Sequence, residues 1–283
     1  MTERQAVITD RTGRRPYSLR KRIRCGFQCC VGRFAKTRSF RQGWLMDDRV
    51  LAAANNNARW CDLMCRLHGI PTATESGYWV ARRRSPDLYP DVVTLLPGAA
   101  AEDVLRMADD GPGCSVKDSF GTLDLARWGF DELFHAHWIF RDSVTSAAEF
   151  PSTETPTTWS VVETEEDLAA WAVVHGAGDT SRGELVRDPS VRVLAAHGPD
   201  GLTAGAIANR TPSCVGVTNV FTTSMSAVEA WSGIIEILAS CFPSLPLVGY
   251  EHGEDLEAAL VSGFTEIGSL RIWLRPNPAV VGR

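Results

Sequence analysis

The sequence predicts an α/β fold, an α+β mixed sheet with helices packed on its faces. Three observations carry this. Beyond residue 46, apolar residues switch repeatedly between strand spacing and helix spacing, and Gly and Pro mark the switches. The second half runs in the order β-α-β-β-β-α-β-α-β, which needs a sheet covered by helices.

The first half begins with a helix over Val50–Leu67, whose Leu51, Ala54, Ala58, Cys61, Cys65 and His68 recur three or four residues apart before Gly69 and Pro71. A strand follows at 77–83, and Ser85-Pro86 breaks it. Val92–Leu96 is a second strand, closed by Pro97-Gly98. Next come a short helix over 102–108, a strand over 114–117, a helix over 123–128 ended by Gly129, and a strand over 133–141. Residues 142–157 are rich in Ser, Thr, Pro and Glu, which places a linker at 146–157.

In the second half, 159–162 is a strand and 165–174 a helix with Leu168, Trp171, Ala172 and His175 along one side. Strands at 191–197 and 203–209 flank Gly198-Pro199-Asp200-Gly201, a hairpin turn. Another strand covers 215–221. Ser226 and Glu229 have the spacing of a capping box, and the helix they open carries Val228, Trp231, Ile234, Ile235 and Leu238 on one face. A strand over 245–250, a helix over 255–261 and a strand over 268–274 finish the order.

Composition bounds the rest. A chain of 283 residues suits two compact domains, expected at 46–145 and 158–276 with a tail over 277–283. With 44% hydrophobic and 22% charged residues it reads as soluble, and its apolar runs are far shorter than the ~20 residues needed to cross a bilayer. No apolar leader follows the first residues, and the eight cysteines lack a secreted framework's spacing, so a cytoplasmic protein with reduced thiols is expected. The net charge of −5 is unevenly spread. Residues 1–45 carry twelve Lys/Arg against Glu3 and Asp10, so of the 29 basic and 34 acidic residues the rest of the chain keeps 17 and 32. Two readings of this arm stand: a tether for nucleic acid through its phosphates, or an extension outside the fold with Met46 as the start. Cys25, Cys29 and Cys30 in the arm lack partners at zinc spacing.

The chain end, Ala258-Ala259-Leu260-Val261-Ser262-Gly263-Phe264 and then Gly268-Ser269-Leu270-Arg271-Ile272-Trp273, resembles the closing helix, Gly-Phe and strand of the GNAT superfamily of N-acetyltransferases. The pair Val193–Ala196 and Ala204–Ala208 is similar to that family's second and third strands. The resemblance covers about residues 158–275. It implies acetyl-coenzyme A as co-substrate, lying between the fourth and fifth strands with its pyrophosphate at the next helix start. The matching cofactor segment is Asn219, Val220, Phe221 and Thr222, then Ser226 and Ala227. A helix start suits a phosphate because its free N–H groups converge there. This segment nevertheless lacks the family's basic residue and glycines, and Glu229 in the first turn disfavours an anion.

The catalytic side departs from the family as well. The place of its usual Tyr holds Ala259, and that of its Asn holds His252. A replacement catalytic set is Tyr250, Glu251 and His252 at a strand end, where α/β folds gather ligands; the other reading makes these ordinary loop residues beside Gly253.

The first half looks like a worn copy of the second. Ser115–Phe120, Leu123–Phe130 and His135–Ile139 parallel Val248–Gly253, Leu256–Phe264 and Leu270–Trp273. The Gly-Phe pairs lie 134 apart and the tryptophans 135 apart. Two such modules would make a tandem or pseudo-dimeric arrangement, one sheet beside the other. No metal site is expected: Cys61, Cys65 and His68 share a helix face that is also the apolar one, and His135 and His137 lack a third ligand. Lys117-Asp118 beside Ser119 reads either as polar catalysis or as an ion pair or strand-end cap.

Three function classes follow. The resemblance implies an acyltransferase moving an acetyl group from acetyl-coenzyme A to an amine on a small molecule or protein. The eroded signatures favour a degenerate module that binds a ligand or partner, with room for a homodimer. The basic arm alone would support a nucleic-acid-associated protein.

Overall fold

The computed structural model describes residues 47–143, 157–176 and 182–277. The arm over 1–45, Met46, the three arm cysteines, nearly all of the linker and all but the first residue of the tail lie outside them.

Helix α1 (Asp48–Leu67) starts on Asp47, whose carboxylate accepts from the Arg49 amide, and ends at His68. Strands β1 (Thr72–Glu75) and β2 (Tyr78–Ala81) form a hairpin through Ser76 and Gly77, both at positive φ, as a two-residue turn requires. The sequence predicts only β2 of this pair, because Thr-Ala-Thr-Glu carries almost no apolar signal. Then follow β3 (Val92–Thr94), α2 (Ala101–Met107), β4 (Ser115–Asp118) and β5 (Asp131–Arg141). The helix expected over 123–128 shrinks to a 3-10 turn, Ala126–Trp128. Buried Asp118 accepts from the Phe120 and Leu123 amides, and Leu123 and Leu125 are both buried, a two-residue spacing no α-helix turns to one side.

The second half holds β6 (Thr158–Val162), α3 (Glu165–His175), β7 (Val191–Gly198), β8 (Gly201–Arg210), β9 (Val215–Thr222), α4 (Ala227–Cys241), β10 (Leu247–Glu251), α5 (Gly253–Val261) and β11 (Thr265–Leu274). This is the expected order, with a 3-10 turn at Gly183–Arg187 added. Thr164 caps α3, and the Ser226/Glu229 capping box opens α4.

The eleven strands among the described residues join one sheet in the order β1-β2-β3-β4-β11-β5-β10-β9-β8-β7-β6. The two halves are therefore not two sheets side by side. Each lends its last strand to the other: β5 pairs with β10, β11 pairs with β4, and β5 and β11 pair at the centre. Their register is a pseudo-two-fold about the pair Ala136↔Leu270: His135↔Arg271 mirrors His137↔Ser269, and Phe134↔Ile272 mirrors Trp138↔Gly268. Bulges fall at matching places, at Leu133 and Ile267. This corrects the parallel between the tryptophans. A constant offset of 134 sets Trp138 on Ile272, both in the cluster under α1, and Trp273 on Ile139, whose side chains join clusters with the other helices. Gly129 and Gly263 do the same job, each at positive φ, with the Phe130 and Phe264 amides bonding to carbonyls five residues back.

Helix α1 is the hub. Its Val50, Ala53 and Ala54 pack on Trp138, Val248 and Ile272, while Trp60 and Met64 share a cluster with Trp79 and Val93 from one end of the strand order and Val193 and Ile207 from the other. The sheet thus curls around α1. Helices α4 and α5 cover the opposite face over Ile139, Leu194, Val217 and Leu247, and α2 does so over β2 to β4. Among the described residues no helix is long and apolar enough to cross a membrane.

Candidate functional site between β9, β10 and α1

The parallel pair β9 and β10 stays in register only for Val215↔Leu247 and Gly216↔Val248. Gly249 keeps the strands close one step further, since a Cβ there would stand 3.0 Å from the Val217 carbonyl oxygen. Beyond it they diverge. On its other side β9 is bulged: Thr218 faces Ile207 and Phe221 faces Gly205, so three steps of β9 oppose two of β8. Asn219 takes up the difference at φ +54. A bulge re-aims side chains and frees backbone groups from the ladder.

The divergence opens into a cavity of about 250 Å³. Its walls are Thr218, Asn219 and Val220 of β9, Tyr250 and Glu251 of β10, Asn57, Trp60 and Cys61 of α1, and Lys117 of β4, with Leu88, Tyr89 and Pro90 at one side. Both halves therefore build it. The loop carrying residues 88–90 is pinned by Asp91, which is buried, pairs with Arg84 at 2.9 Å, and accepts from the Ser85 and Ser115 amides.

Three polar groups give the cavity its character. Burial, with a smaller contribution from Asp255, pushes the Glu251 carboxyl up to about 8. Lys117 is only 3% exposed; its Nζ donates to Asn57 Oδ1 at 2.7 Å and lies 4.2 Å from the centre of the Tyr250 ring. Tyr250 in turn packs edge-on against Trp138. Burial raises the Cys61 thiol to about 11, so it stays protonated and unreactive.

Of the residues expected from sequence, the structure brings Asn219, Val220, Tyr250 and Glu251 together at this cavity. His252 stands outside its lining, exposed before α5, with its ring 5.3 Å from that of Phe134. Phe221 packs on Trp171 and His175. Thr222 ends β9, and Ser226 and Ala227 open α4. Ser226 Oγ accepts from the Glu229 amide at 3.2 Å, and the Glu229 carboxylate accepts from the Ser226 hydroxyl at 2.7 Å and the Ser226 amide at 3.0 Å, which together hold that carboxyl below its ordinary range. The Ala227 and Val228 amides are left with no acceptor inside the helix.

Sequence reasoning missed Asn57, the 88–90 loop and the placement of Lys117. The available signal was a lysine within an otherwise apolar strand. Its neighbour Asp118 proves to be the strand-end cap. In the first half the corresponding cleft is shut: Thr94 Oγ1, one residue past the last paired position, accepts from the Ser119 amide at 2.8 Å, and Leu123, Leu125 and Phe130 fill the space below.

No family model and no curated protein matches the chain. Solved structures do. A GCN5-related N-acetyltransferase from Kribbella flavida matches with a TM-score of 0.56 at 13% identity, covering 81% of this chain and 97% of that one. A functionally unknown conserved protein from Staphylococcus epidermidis matches with a TM-score of 0.52 at 10% identity, covering 74% and 94%. Coverage this broad extends beyond the second half. The chain has the GNAT acetyltransferase fold.

Proposed function

We propose that this chain, built on the GNAT fold, transfers an acetyl group from acetyl-coenzyme A to a small amine. One observation carries the reading most: β9 and β10 part beside a bulge and open onto a cavity holding a carboxyl whose affinity for protons is raised toward the working pH. The thioester would lie in the parting between the strands, with its phosphates at the Ala227 and Val228 amides and the Thr222 and Ser224 hydroxyls. Bound there, acetyl-coenzyme A supplies an activated carbonyl. Glu251 takes a proton from the attacking amine. Backbone N–H groups freed at the Asn219 bulge face the charge that develops on the carbonyl oxygen. Tyr250, the phenol of the cavity, is the proton donor to the departing thiolate, which leaves as the coenzyme A thiol.

A second reading, a module that binds without catalysing, has its own observation. The capping box occupies two amides at the helix start and sets the Glu229 carboxylate where the pyrophosphate would lie, and no Lys or Arg stands within 220–228.

Calorimetric titration of acetyl-coenzyme A into the full chain separates the two, with Ala227→Asp as control. That substitution suits a helix first turn and so preserves folding. Saturable binding that the variant loses, with release of free coenzyme A thiol once an amine is added, supports the transferase. Absence of heat at millimolar ligand, with no thermal stabilisation, sinks it.

A further inference from the structure

We infer that Lys117 is an anion anchor in this cavity, and that the amine acceptor is a small amino-carboxylate whose carboxylate docks on Lys117 while its amine faces Glu251. The inference rests on the transferase reading for the amine end, whereas the anchor itself rests on Lys117 alone. A lysine 97% removed from solvent is costly unless its charge is answered. Among the described residues no carboxylate stands within ion-pairing distance of it. Its ammonium has three donors, and Asn57 Oδ1 takes one. The Tyr250 ring steadies the charge without neutralising it. Glu251 shares the cavity yet is largely uncharged at neutral pH. The cavity is thus lined by an ammonium with donors beyond the one that Asn57 accepts, and a carboxylate fits those donors.

Size narrows the ligand. About 250 Å³ lies below the ~300–1,000 Å³ of ordinary drug-sized pockets, which suits a compact amino acid. The position is also particular to this arrangement. Lys117 comes from β4 of the first half and faces a cleft of the second, and the curl of the sheet around α1 brings them together.

The test is calorimetry on the full chain without coenzyme A, using matched pairs: 4-aminobutanoate against butylamine, and 3-aminopropanoate against propylamine. A charged hydrogen bond is worth ~1.5–3 kcal/mol, so the amino-carboxylate is expected to bind at least about tenfold tighter than its amine. Lys117→Met should erase that preference and leave the amines within about twofold. Lys117→Gln, which keeps a donor for Asn57, guards against a folding defect, and the preference in the parent protein needs no variant at all. A carboxylate could also arrive on the acyl group. Succinyl-coenzyme A binding about tenfold tighter than acetyl-coenzyme A, with that advantage lost in both variants, supports the anchor but assigns its carboxylate to the donor and overturns the amino-carboxylate acceptor. If no carboxylate is preferred, or the preference survives both variants, the anchor is overturned. Failure of acetyl-coenzyme A alone to bind overturns the transferase reading and leaves the anchor standing on the matched pairs.

Discussion

Burial acts on two side chains in opposite senses. Glu251 is held neutral by a low-dielectric wall, so its base form grows only as pH rises toward and past about 8. Acetyl transfer should therefore climb with pH through that range, and Glu251→Gln should lower kcat/KM by ~10²- to 10⁴-fold and remove the rise. Stability gives an independent check. Because the folded carboxyl holds its proton more tightly than the unfolded one, Glu251 stabilises the fold at low pH and ceases to do so as pH climbs from about 4.5 to 8. The parent protein should lose thermal stability relative to Glu251→Gln across that window. His175 runs the other way. Burial beside Trp171 and Phe221 lowers it to about 4, so below pH 6.5 the unfolded chain binds a proton that the folded one refuses. Melting temperature should fall on acidification from 6.5 to 4, and His175→Phe should flatten that stretch of the curve.

Among the elements, the start of α4 holds the main tension. Its capping box stabilises the helix through a carboxylate that would repel the pyrophosphate of the proposed co-substrate. Glutamine also serves at that capping position, so Glu229→Gln should keep the helix and remove the charge. Acetyl-coenzyme A should then bind about three- to tenfold tighter, read by the same titration, with little change in melting temperature. An unchanged affinity would place the phosphates elsewhere. Helix α1 holds the halves together by a reciprocal pair: Asn56 Nδ2 donates to the Asn209 carbonyl at 3.0 Å, and Asn209 Nδ2 to the Asn56 carbonyl at 3.2 Å. Gly216 lies beneath them, where any Cβ would collide with both side-chain oxygens. Asn56→Ala removes the side-chain donor to the buried Asn209 carbonyl, while Asn209 Nδ2 keeps the backbone carbonyl of residue 56, and should cost ~1–3 kcal/mol in chemical denaturation.

At the scale of the molecule, exchange of the last strands ties the two halves into one sheet. Without β5, strand β10 would lose its antiparallel partner; without β11, so would β4. The described core should therefore unfold in a single transition, with tryptophan fluorescence and far-UV circular dichroism coincident, rather than in two steps. The expression of 158–283 alone should give no cooperative melt.

What the sequence determined by itself was local and periodic. Helix spacing gave α1, α3 and α4, the Ser226/Glu229 spacing gave a capping box, and Gly129-Phe130 and Gly263-Phe264 revealed two related modules, because caps and amphipathic faces depend on neighbours a few residues away. That Asn219 and Val220 of β9 and Tyr250 and Glu251 of β10 line one cavity was within reach for the same reason, through the order of elements around them. Strand exchange was not, since strand order depends on pairings more than a hundred residues apart, and a repeat offset alone cannot say which copy a strand joins. The 3-10 turn at 126–128 escaped because a buried carboxylate, Asp118, outcompeted helical spacing. Lys117 shows the limit most plainly. In sequence it is one charge in an apolar strand, and only the curl of the sheet around α1 puts it against Tyr250 in the cleft of the other half, where burial turns an ordinary lysine into a charge in need of a partner.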